Sequence, residues 1–278
     1  MRYHFAVARS VRARVWNYGR LLSLAGLDAV DLIAGRRRAM TPSRLQNDRI
    51  GGYDFQKIGK ELASIVRDLG ELKTHERVLD IGCGYGRVAV QLASYLETGE
   101  YCGFDIDANA IRWCRRQISS RHPNFWFAHV DVANGYYNRG GPRSAESFTF
   151  PCADSSVDVA IATSLFTHLL PAAAAQYVAE IHRVLKPGGR AVLSFFLFDD
   201  ELKRRLVDTG SYPPFRHFPE PFYAISDPDQ PELGVAYDQA VVQEAFRTRG
   251  LQVRRVERGA WSTNANPMSF QDFVLATK

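Results

Sequence analysis

The stretch VLDIGCGYGR at residues 78–87 decides the fold, because it joins a strand to a glycine turn and the start of a helix. An aliphatic run containing Asp80 is followed by glycines at alternate positions, Gly82, Gly84 and Gly86. Three glycines in five residues let the backbone pass close to a ligand and tolerate positive φ angles. The stretch therefore predicts a small molecule lying across the turn. A turn with only a structural role is the alternative.

The spacing of the glycines argues against a dinucleotide. Dinucleotide sites use G-x-G-x-x-G, with the pyrophosphate against the helix N-terminus. Here Gly86 comes one residue too early, and Arg87 stands where that pattern needs glycine. Asp80 would repel a phosphate inside the motif and suits a ligand that carries an ammonium group.

A second acid narrows the choice of ligand. The short apolar run from Tyr101 to Phe104 predicts the next strand, and it ends at Asp105, nineteen positions beyond Gly86. An acid at the carboxyl end of the second strand can accept hydrogen bonds from both hydroxyls of a ribose. Together the two strands predict a site for a nucleoside without phosphates.

Four motifs in order resemble those of class I S-adenosylmethionine (SAM) methyltransferases. Residues 78–87 look like their first motif, and Gly103-Phe104-Asp105 looks like their ribose-binding acid. FPCADSSVDV at residues 150–159 is similar to their approach to the fourth strand, and EIHRVLKPGG at residues 180–189 to their approach to the fifth. The resemblance is to the subgroup of quinone-biosynthesis and small-molecule methyltransferases.

The fold expected is α/β. Strand and helix patterns alternate from residue 77 onward, which predicts a mainly parallel sheet with right-handed crossovers. The resemblance implies a Rossmann-like, seven-stranded sheet with helices on both faces, whose last strand runs antiparallel inside the sheet. It also implies SAM as the cofactor.

The expected cofactor site lies at the carboxyl ends of the strands, where open parallel sheets bind their ligands. By resemblance, Asp131 bonds the adenine amino group, and Thr163 and Ser164 border the methionine portion. The residues expected to hold the cofactor are Asp80, Gly82, Cys83, Gly84, Gly86, Asp105, Ile106, Asp131, Val132, Thr163 and Ser164.

The catalytic requirement is small, because the sulfonium of SAM is already an activated electrophile. The enzyme aligns a nucleophile with the methyl–sulfur bond and removes a proton if the nucleophile is a hydroxyl. His168 is predicted at the active rim and can accept a proton near neutrality. The alternative is a helix-start histidine that only packs or orients. His217 is the second candidate base.

Metal assistance would use Asp199 or Asp200 with His168, since Mg²⁺ prefers oxygen ligands. An adjacent acid pair after a strand is more often a helix cap, so no metal is predicted. The four cysteines form no C-x-x-C pair and are expected to be reduced thiols.

The acceptor is constrained by missing motifs. Thr163-Ser164-Leu165-Phe166 follows the fourth strand where enzymes that methylate amino groups of nucleic-acid bases carry [DNS]-P-P-[YF], and the paired-glutamate hairpin of arginine methyltransferases is missing. Oxygen methylation of a small molecule, a sugar or a glycolipid is therefore favoured. Methylation of nitrogen or carbon in a small metabolite, and a SAM-binding regulatory or partner subunit without transferase activity, are the alternatives. A dinucleotide oxidoreductase is the third class.

The chain of 278 residues is 46% apolar and can bury a full core. We expect a basic helical arm at residues 1–53 and a methyltransferase domain at 54–278. Within the domain, a loop at 133–152 and a lid insertion at 209–237 are expected to be walls of the substrate site. Six of the thirteen prolines lie within residues 209–233, which argues against a regular helix or a central strand there.

The arm has ten arginines and three aspartates in its first 50 residues, a formal charge of +7, whereas the whole chain carries +5. Apolar residues recur at helical spacing on one face: Val7, Val11, Val15, Tyr18 and Leu22. The arm is read as a helical cap beside the cofactor cleft, as a membrane-surface or glycolipid contact, or as a nucleic-acid patch, the least favoured of the three. The stretch at residues 21–33 is too short to span a bilayer, so a cytoplasmic protein, with or without peripheral membrane contact, is expected. The sequence does not indicate an oligomeric state.

Overall fold

The computed structural model describes residues 21–35, 39–47, 54–209, 215–262 and 267–278. The chain divides into two compact units, one at Met1–Ile58 and one at Gly59–Lys278. The predicted boundary between residues 53 and 54 falls at the edge of an undescribed segment and stays a prediction. Val7, Val11, Val15 and Tyr18, predicted on one helix face, lie outside the described residues.

In the first unit, a helix is described over residues 21–33, followed by the short helix Arg44–Asn47. The guanidinium of Arg44 lies 3.4 Å from a carboxylate oxygen of Asp28 and 2.6 Å from one of Asp31. These two ion pairs join the short helix to the longer one. In the parts of the chain that the structure describes, no helix has the length and apolar character needed to cross a membrane.

The second unit is built on a seven-stranded sheet in the order β10-β11-β5-β4-β1-β2-β3. Only β11 is antiparallel to its neighbours, β5 and β10, so the predicted fold class is confirmed. The described strands of the chain are β1 Arg77–Ile81, β2 Glu100–Asp105, β3 Phe125–His129, β4 Val157–Ala162, β5 Leu185–Phe195, β6 Leu197–Phe198, β7 His217–Glu220, β8 Tyr223–Ile225, β9 Val235–Asp238, β10 Gln252–Glu257 and β11 Asp272–Thr277.

Helices follow most strands of this sheet and several begin at an acidic cap. Asp107 accepts hydrogen bonds from the backbone N–H groups of Asn109 and Ala110, and Asp199 accepts one from Leu202 at 2.8 Å. The cap at Asp199 agrees with the expectation for an acid pair that follows a strand. The described helices are Phe55–Leu69, Arg87–Leu92, Ala108–Cys114, the π-helical turn Arg115–Ser119, Pro171–Val184, Asp200–Thr209 and Gln239–Arg247, with 3₁₀ turns at Ala145–Ser147, Phe166–His168 and Pro231–Leu233.

Burial of the inner strands explains their near-continuous apolar sequence. Val78, Leu79 and Ile81 of β1 are fully buried, as are Ala160 and Ile161 of β4. A strand covered by helices on both faces exposes neither of its side-chain rows to water, so it needs no polar alternation. The first and fourth strands therefore sit at the centre of the sheet, with their carboxyl ends side by side.

The predicted lack of a central strand in residues 209–233 is wrong. A second, four-stranded sheet has the order β6-β9-β8-β7, and β8 pairs with strands on both sides. Pro219 lies in β7, at the edge, where a missing N–H breaks no ladder bond. Each proline restricts only itself and the residue before it, and β8 lies between Pro221 and Pro228 without including either kind of position. This sheet buries Phe198, Phe215 and Trp261 in a core of its own.

Candidate functional site

The glycine turn folds over the end of β2. Gly82, Gly84 and Gly86 have φ angles of 76°, 52° and 69°, which agrees with the predicted need for glycine. A Cβ at Gly86 would lie 2.8 Å from the terminal Cδ1 of Ile118, so a side chain there would also require Ile118 to shift. The N–H groups of Gly82 and Cys83 both donate to the carbonyl of Phe104, at 2.9 and 3.0 Å. The turn is thereby held against the strand that carries Asp105.

Asp105 connects this turn to the start of the next helix. Its Oδ2 accepts the N–H of Gly84 at 2.7 Å, and its Oδ1 accepts the N–H of Asp107 at 2.8 Å. Burial raises the pKa of the Asp105 carboxyl, although these two backbone hydrogen bonds oppose the rise. Each carboxylate oxygen has a second lone pair, so the side chain can still accept two hydroxyl groups.

Asp80 is an acid with an unsatisfied buried oxygen. Its side chain is 1% exposed, its Oδ2 accepts a hydrogen bond from the Tyr101 hydroxyl, and its buried Oδ1 has no hydrogen-bond partner among the described residues. Burial, reinforced by the charge of Asp105, raises the pKa of Asp80 to about 7, while Tyr101 and Arg87 oppose the rise. An orphan buried oxygen is unfavourable unless a ligand or water reaches it.

The remaining residues predicted to hold the adenosine follow β2 and β3. The carbonyl of Ile106 accepts a hydrogen bond from the His129 ring at 3.2 Å. Asp131 is exposed and accepts the side-chain amide of Asn138 at 2.9 Å, while Val132 is buried. Buried Cys83 is a free thiol, and burial keeps its pKa well above the usual value. None of these contacts identifies a role in binding, so their assignment stays a prediction.

The backbone of Ser164, two residues after the end of β4, is strained. Its φ of 61° is left-handed, which is uncommon for a residue with a side chain. Three hydrogen bonds hold it: its N–H donates to Ser194 Oγ at 2.6 Å, its hydroxyl donates to Gln271 at 3.1 Å, and its carbonyl accepts the hydroxyl of Thr167 at 3.1 Å. Half-buried Thr163 precedes it. Strain maintained by its surroundings is typical of functional positions.

The ring of His168 is oriented by the lid. Its Nδ1 lies 3.0 Å from the carbonyl oxygen of Glu232, and a carbonyl can only accept, so Nδ1 carries the proton and Nε2 keeps its lone pair. Burial lowers the pKa of His168, although the backbone hydrogen bonds oppose this. The ring of Tyr137 packs edge-on against it, with centroids 5.2 Å apart. The imidazole is therefore neutral near pH 7 and can accept a proton at Nε2.

Glu232 is a site residue that the sequence analysis missed. Its carboxylate accepts the side-chain amide of Asn134 at 2.9 Å and the N–H of Gly135, while its carbonyl holds His168. Burial raises the pKa of this carboxyl. The loop at 133–152 and the lid at 209–237 thus meet beside His168. The one sequence feature that could have drawn attention to Glu232 was an acidic residue between Pro231 and Leu233.

Replacing Glu232 by alanine should loosen the lid. Asn134 is 8% exposed, and its side-chain amide also donates to the carbonyl of His168 at 3.1 Å. Removing the Glu232 carboxylate therefore leaves one of the two buried amide hydrogens unsatisfied, at about 1–3 kcal/mol of unfolding free energy. Hydrogen exchange should become faster at the amide of Gly135 and across residues 231–238. Exposed Glu220, in the same insertion, supplies the control variant Glu220→Ala. Equal protection in the two variants would show that Glu232 does not hold the lid.

His217 and Asp199 are not brought into this cluster. His217 is exposed on the edge strand β7, and its role as a base stays a prediction. Asp199 caps a helix and lies 3.1 Å from the guanidinium of Arg258. Across the described ranges, no group of three or more His, Cys, Asp or Glu side chains is arranged to hold a metal ion.

Comparisons with known proteins agree with this fold. Residues 78–189 match the family model described as a methyltransferase domain. A fatty-acid O-methyltransferase of Mycolicibacterium smegmatis is 32% identical over 129 residues, which are 46% of this chain and 38% of that protein. A phthiotriol/phenolphthiotriol dimycocerosates methyltransferase of Mycobacterium ulcerans is 31% identical over 141 residues, 50% of this chain and 44% of that protein. The chain thus spans less than half the length of these two relatives.

A solved structure extends the comparison to nearly the whole chain. The 1,6-didemethyltoxoflavin-N1-methyltransferase of Burkholderia thailandensis, solved with 1,6-didemethyltoxoflavin and S-adenosylhomocysteine, has a TM-score of 0.54 and 15% identity. The alignment covers 94% of this chain and 89% of that one. At this identity the similarity concerns the fold, which is the one found here.

Proposed function

We propose that this chain, whose residues 78–189 form a methyltransferase domain of the class I fold, binds SAM and methylates a hydroxyl oxygen of a small molecule, a sugar or a glycolipid. The observation that carries the proposal is the pairing of the glycine turn with Asp105. The carboxylate that would accept the ribose hydroxyls also receives the N–H of Gly84 at 2.7 Å, so sugar and backbone contacts form in one place.

The residues present fit the cofactor. Asp105 has lone pairs for two hydroxyls, and the glycine turn presents backbone without side chains. The orphan oxygen of Asp80 is a partner for the ammonium group of the methionine portion. When bound, SAM supplies a methyl group that is already activated on a sulfonium. The protein then has to position the acceptor, exclude water and take up one proton.

His168 is the proposed proton acceptor. Its Nδ1–H is fixed on the carbonyl of Glu232, which directs the basic lone pair to Nε2. The acceptor hydroxyl would lose its proton to Nε2 as its oxygen attacks, and the imidazole would become an imidazolium. The lowered pKa keeps His168 unprotonated near pH 7, before the reaction.

Oxygen is the favoured acceptor atom for two reasons. A neutral imidazole held by the Glu232 carbonyl suits a hydroxyl, which must lose a proton during transfer. The M. smegmatis relative is named a fatty-acid O-methyltransferase, and the M. ulcerans relative is named for phthiotriol and phenolphthiotriol dimycocerosates. These names support a lipid-like or glycolipid acceptor for this chain.

Thermal unfolding with different ligands tests the proposal. S-adenosylhomocysteine should raise the midpoint of unfolding in a concentration-dependent way, because a ligand that binds only the folded state adds RT ln(1 + [L]/Kd) to its stability. NAD at the same concentrations should leave the midpoint unchanged. Stabilisation by NAD alone would indicate an oxidoreductase and reject the methyltransferase proposal.

Asp80 should make cofactor binding depend on pH. Its pKa is about 7 in the free protein, and a cationic ligand favours the ionised carboxylate, so binding releases a proton below pH 7. The affinity for S-adenosylhomocysteine should rise by up to about tenfold per pH unit from pH 5 to 7 and then level off. Calorimetric titrations of the parent and of Asp80→Asn measure this. An equally steep rise in the variant would assign it to another group.

A further inference from the structure

The helix over residues 21–33 exposes large apolar side chains to solvent. Leu22 is 73% exposed, Val30 55% and Ile33 87%. Eight large apolar residues are exposed in the described part of the chain, and five of them lie in this helix: Leu22, Leu27, Val30, Leu32 and Ile33. Apolar residues scattered singly on a surface are ordinary, but a concentration in 13 residues of helix marks a contact surface.

Three of these five residues, Leu22, Val30 and Ile33, share one side of the helix. At about 100° per residue, Leu22, Val30 and Ile33 fall within an arc of about 80°. Gly26 and Ala29, also exposed, lie between or beside them on this side. We call Leu22, Gly26, Ala29, Val30 and Ile33 the apolar face.

The positions directly opposite the apolar face are packed or ion-paired. Leu24 is 5% exposed, and the half-buried Asp28 and Asp31 form ion pairs with Arg44. The only acids of the described helix therefore point away from the apolar face and are paired with a cation. Negative charge does not oppose the approach of this face to an anionic surface.

The surrounding sequence supplies positive charge. Arg20 precedes the described helix, and Arg36, Arg37 and Arg38 follow it. Residues 1–50 carry +7, and the whole chain carries +5, so the other 228 residues sum to −2. An apolar face flanked by arginines is the combination that binds an anionic bilayer surface, where each basic residue contributes by attraction to lipid headgroups.

We propose that the helix over residues 21–33 lies in the surface of an anionic lipid bilayer, with its apolar face inserted at the boundary between headgroups and acyl chains. Its 13 residues span about 20 Å, which suits an interfacial helix and is too short to cross about 30 Å of hydrocarbon. The charge of the flanking arginines selects anionic over neutral lipid. Should the acceptor be a glycolipid, as the proposed function allows, the same contact would bring the domain to its substrate.

Co-sedimentation of the full chain with vesicles tests this. The parent should bind vesicles of phosphatidylcholine mixed with phosphatidylglycerol and should not bind phosphatidylcholine alone. Leu22→Ser/Val30→Ser/Ile33→Ser should lower the partition coefficient on anionic vesicles by about tenfold or more. The matched control Val241→Ser/Met268→Ser/Phe270→Ser removes the three large exposed apolar side chains that the structure describes outside the helix, and it should partition like the parent.

Three outcomes would overturn the proposal. The first is a parent that does not bind anionic vesicles, including one that is retained only on heparin, as for a nucleic-acid patch. The second is an apolar-face variant that binds as well as the parent, which would leave charge alone as the cause. The third is an equal loss in the control triple variant. Stabilisation of each variant by S-adenosylhomocysteine is measured in parallel, so a failure of membrane binding is distinguished from a failure of the proposed activity.

Discussion

Asp105→Ala should weaken the binding of S-adenosylhomocysteine by about a hundredfold or more. Two ribose hydroxyls would lose an ionised acceptor, and each hydrogen bond to a charged group contributes about 1.5–3 kcal/mol. The Gly84 N–H would also lose its partner at 2.7 Å, so the glycine turn would be less well ordered before the ligand arrives. Isothermal titration of both proteins measures the ratio of dissociation constants.

Two further variants separate ligand contacts from folding. Asp105→Asn keeps one oxygen to accept from Gly84 and removes the charge, so it should fall between the parent and alanine. Asp107→Asn retains a helix-capping side chain next to the site and should bind like the parent. Should Asp105→Ala bind as tightly as the parent, the ribose contact would have to be assigned to another residue.

His168→Ala should lower the rate of methyl transfer by about 10²–10⁴-fold, the usual contribution of a general base. The loss should fall on kcat, with little change in affinity for S-adenosylhomocysteine, because the proposed role begins only when the hydroxyl reacts. Labelled SAM incubated with a fractionated extract first identifies an acceptor. The same acceptor then serves for the comparison of parent and variant.

The pH profile distinguishes a base from an orienting residue. The parent rate should fall as pH drops through the lowered pKa of His168, because protonation of Nε2 removes the base. Exposed His75 gives the control variant His75→Ala, which should retain the parent rate and profile. Full turnover by His168→Ala would restrict this histidine to packing against Tyr137 and the lid.

Much of the fold was predictable because its signals are local. The strand-turn-helix pattern at residues 78–87 and the acid at the end of β2 are each read within a few residues, and they place the glycine turn and Asp105 correctly. The antiparallel position of β11 came from the family resemblance. The helix cap at Asp199 could also be predicted locally, since a cap bonds the backbone two or three residues ahead.

The second sheet and the role of Glu232 depend on contacts that local patterns do not contain. Glu232 bonds Gly135, 97 residues earlier, and its carbonyl bonds His168, 64 residues earlier. The short strand β8 was not predicted because the lid sequence around it is rich in proline. None of those prolines lies within the three residues of β8. The left-handed backbone of Ser164 could not be predicted either, because its strain is maintained by Ser194 in β5 and by Gln271, the residue before β11.

These long-range contacts divide the proposed site into a part carried by the sheet and a part carried by the lid. The sheet positions Asp80, Asp105 and Ser164 through strands β1, β2 and β4. The lid then contributes Glu232, which joins Asn134 and fixes the ring of His168. Cofactor binding should therefore tolerate changes in the lid, whereas transfer to an acceptor should not. Measuring both for Glu232→Ala would reveal this division.

A crystal structure of the complex with S-adenosylhomocysteine provides the decisive observation. We expect the ribose hydroxyls to bond the two oxygens of Asp105, the homocysteine ammonium to lie near Oδ1 of Asp80, and the nucleoside to rest on the backbone of Gly82, Gly84 and Gly86. A nucleoside bound elsewhere, or a ribose turned away from Asp105, would contradict the assignment of this chain as a SAM-dependent methyltransferase.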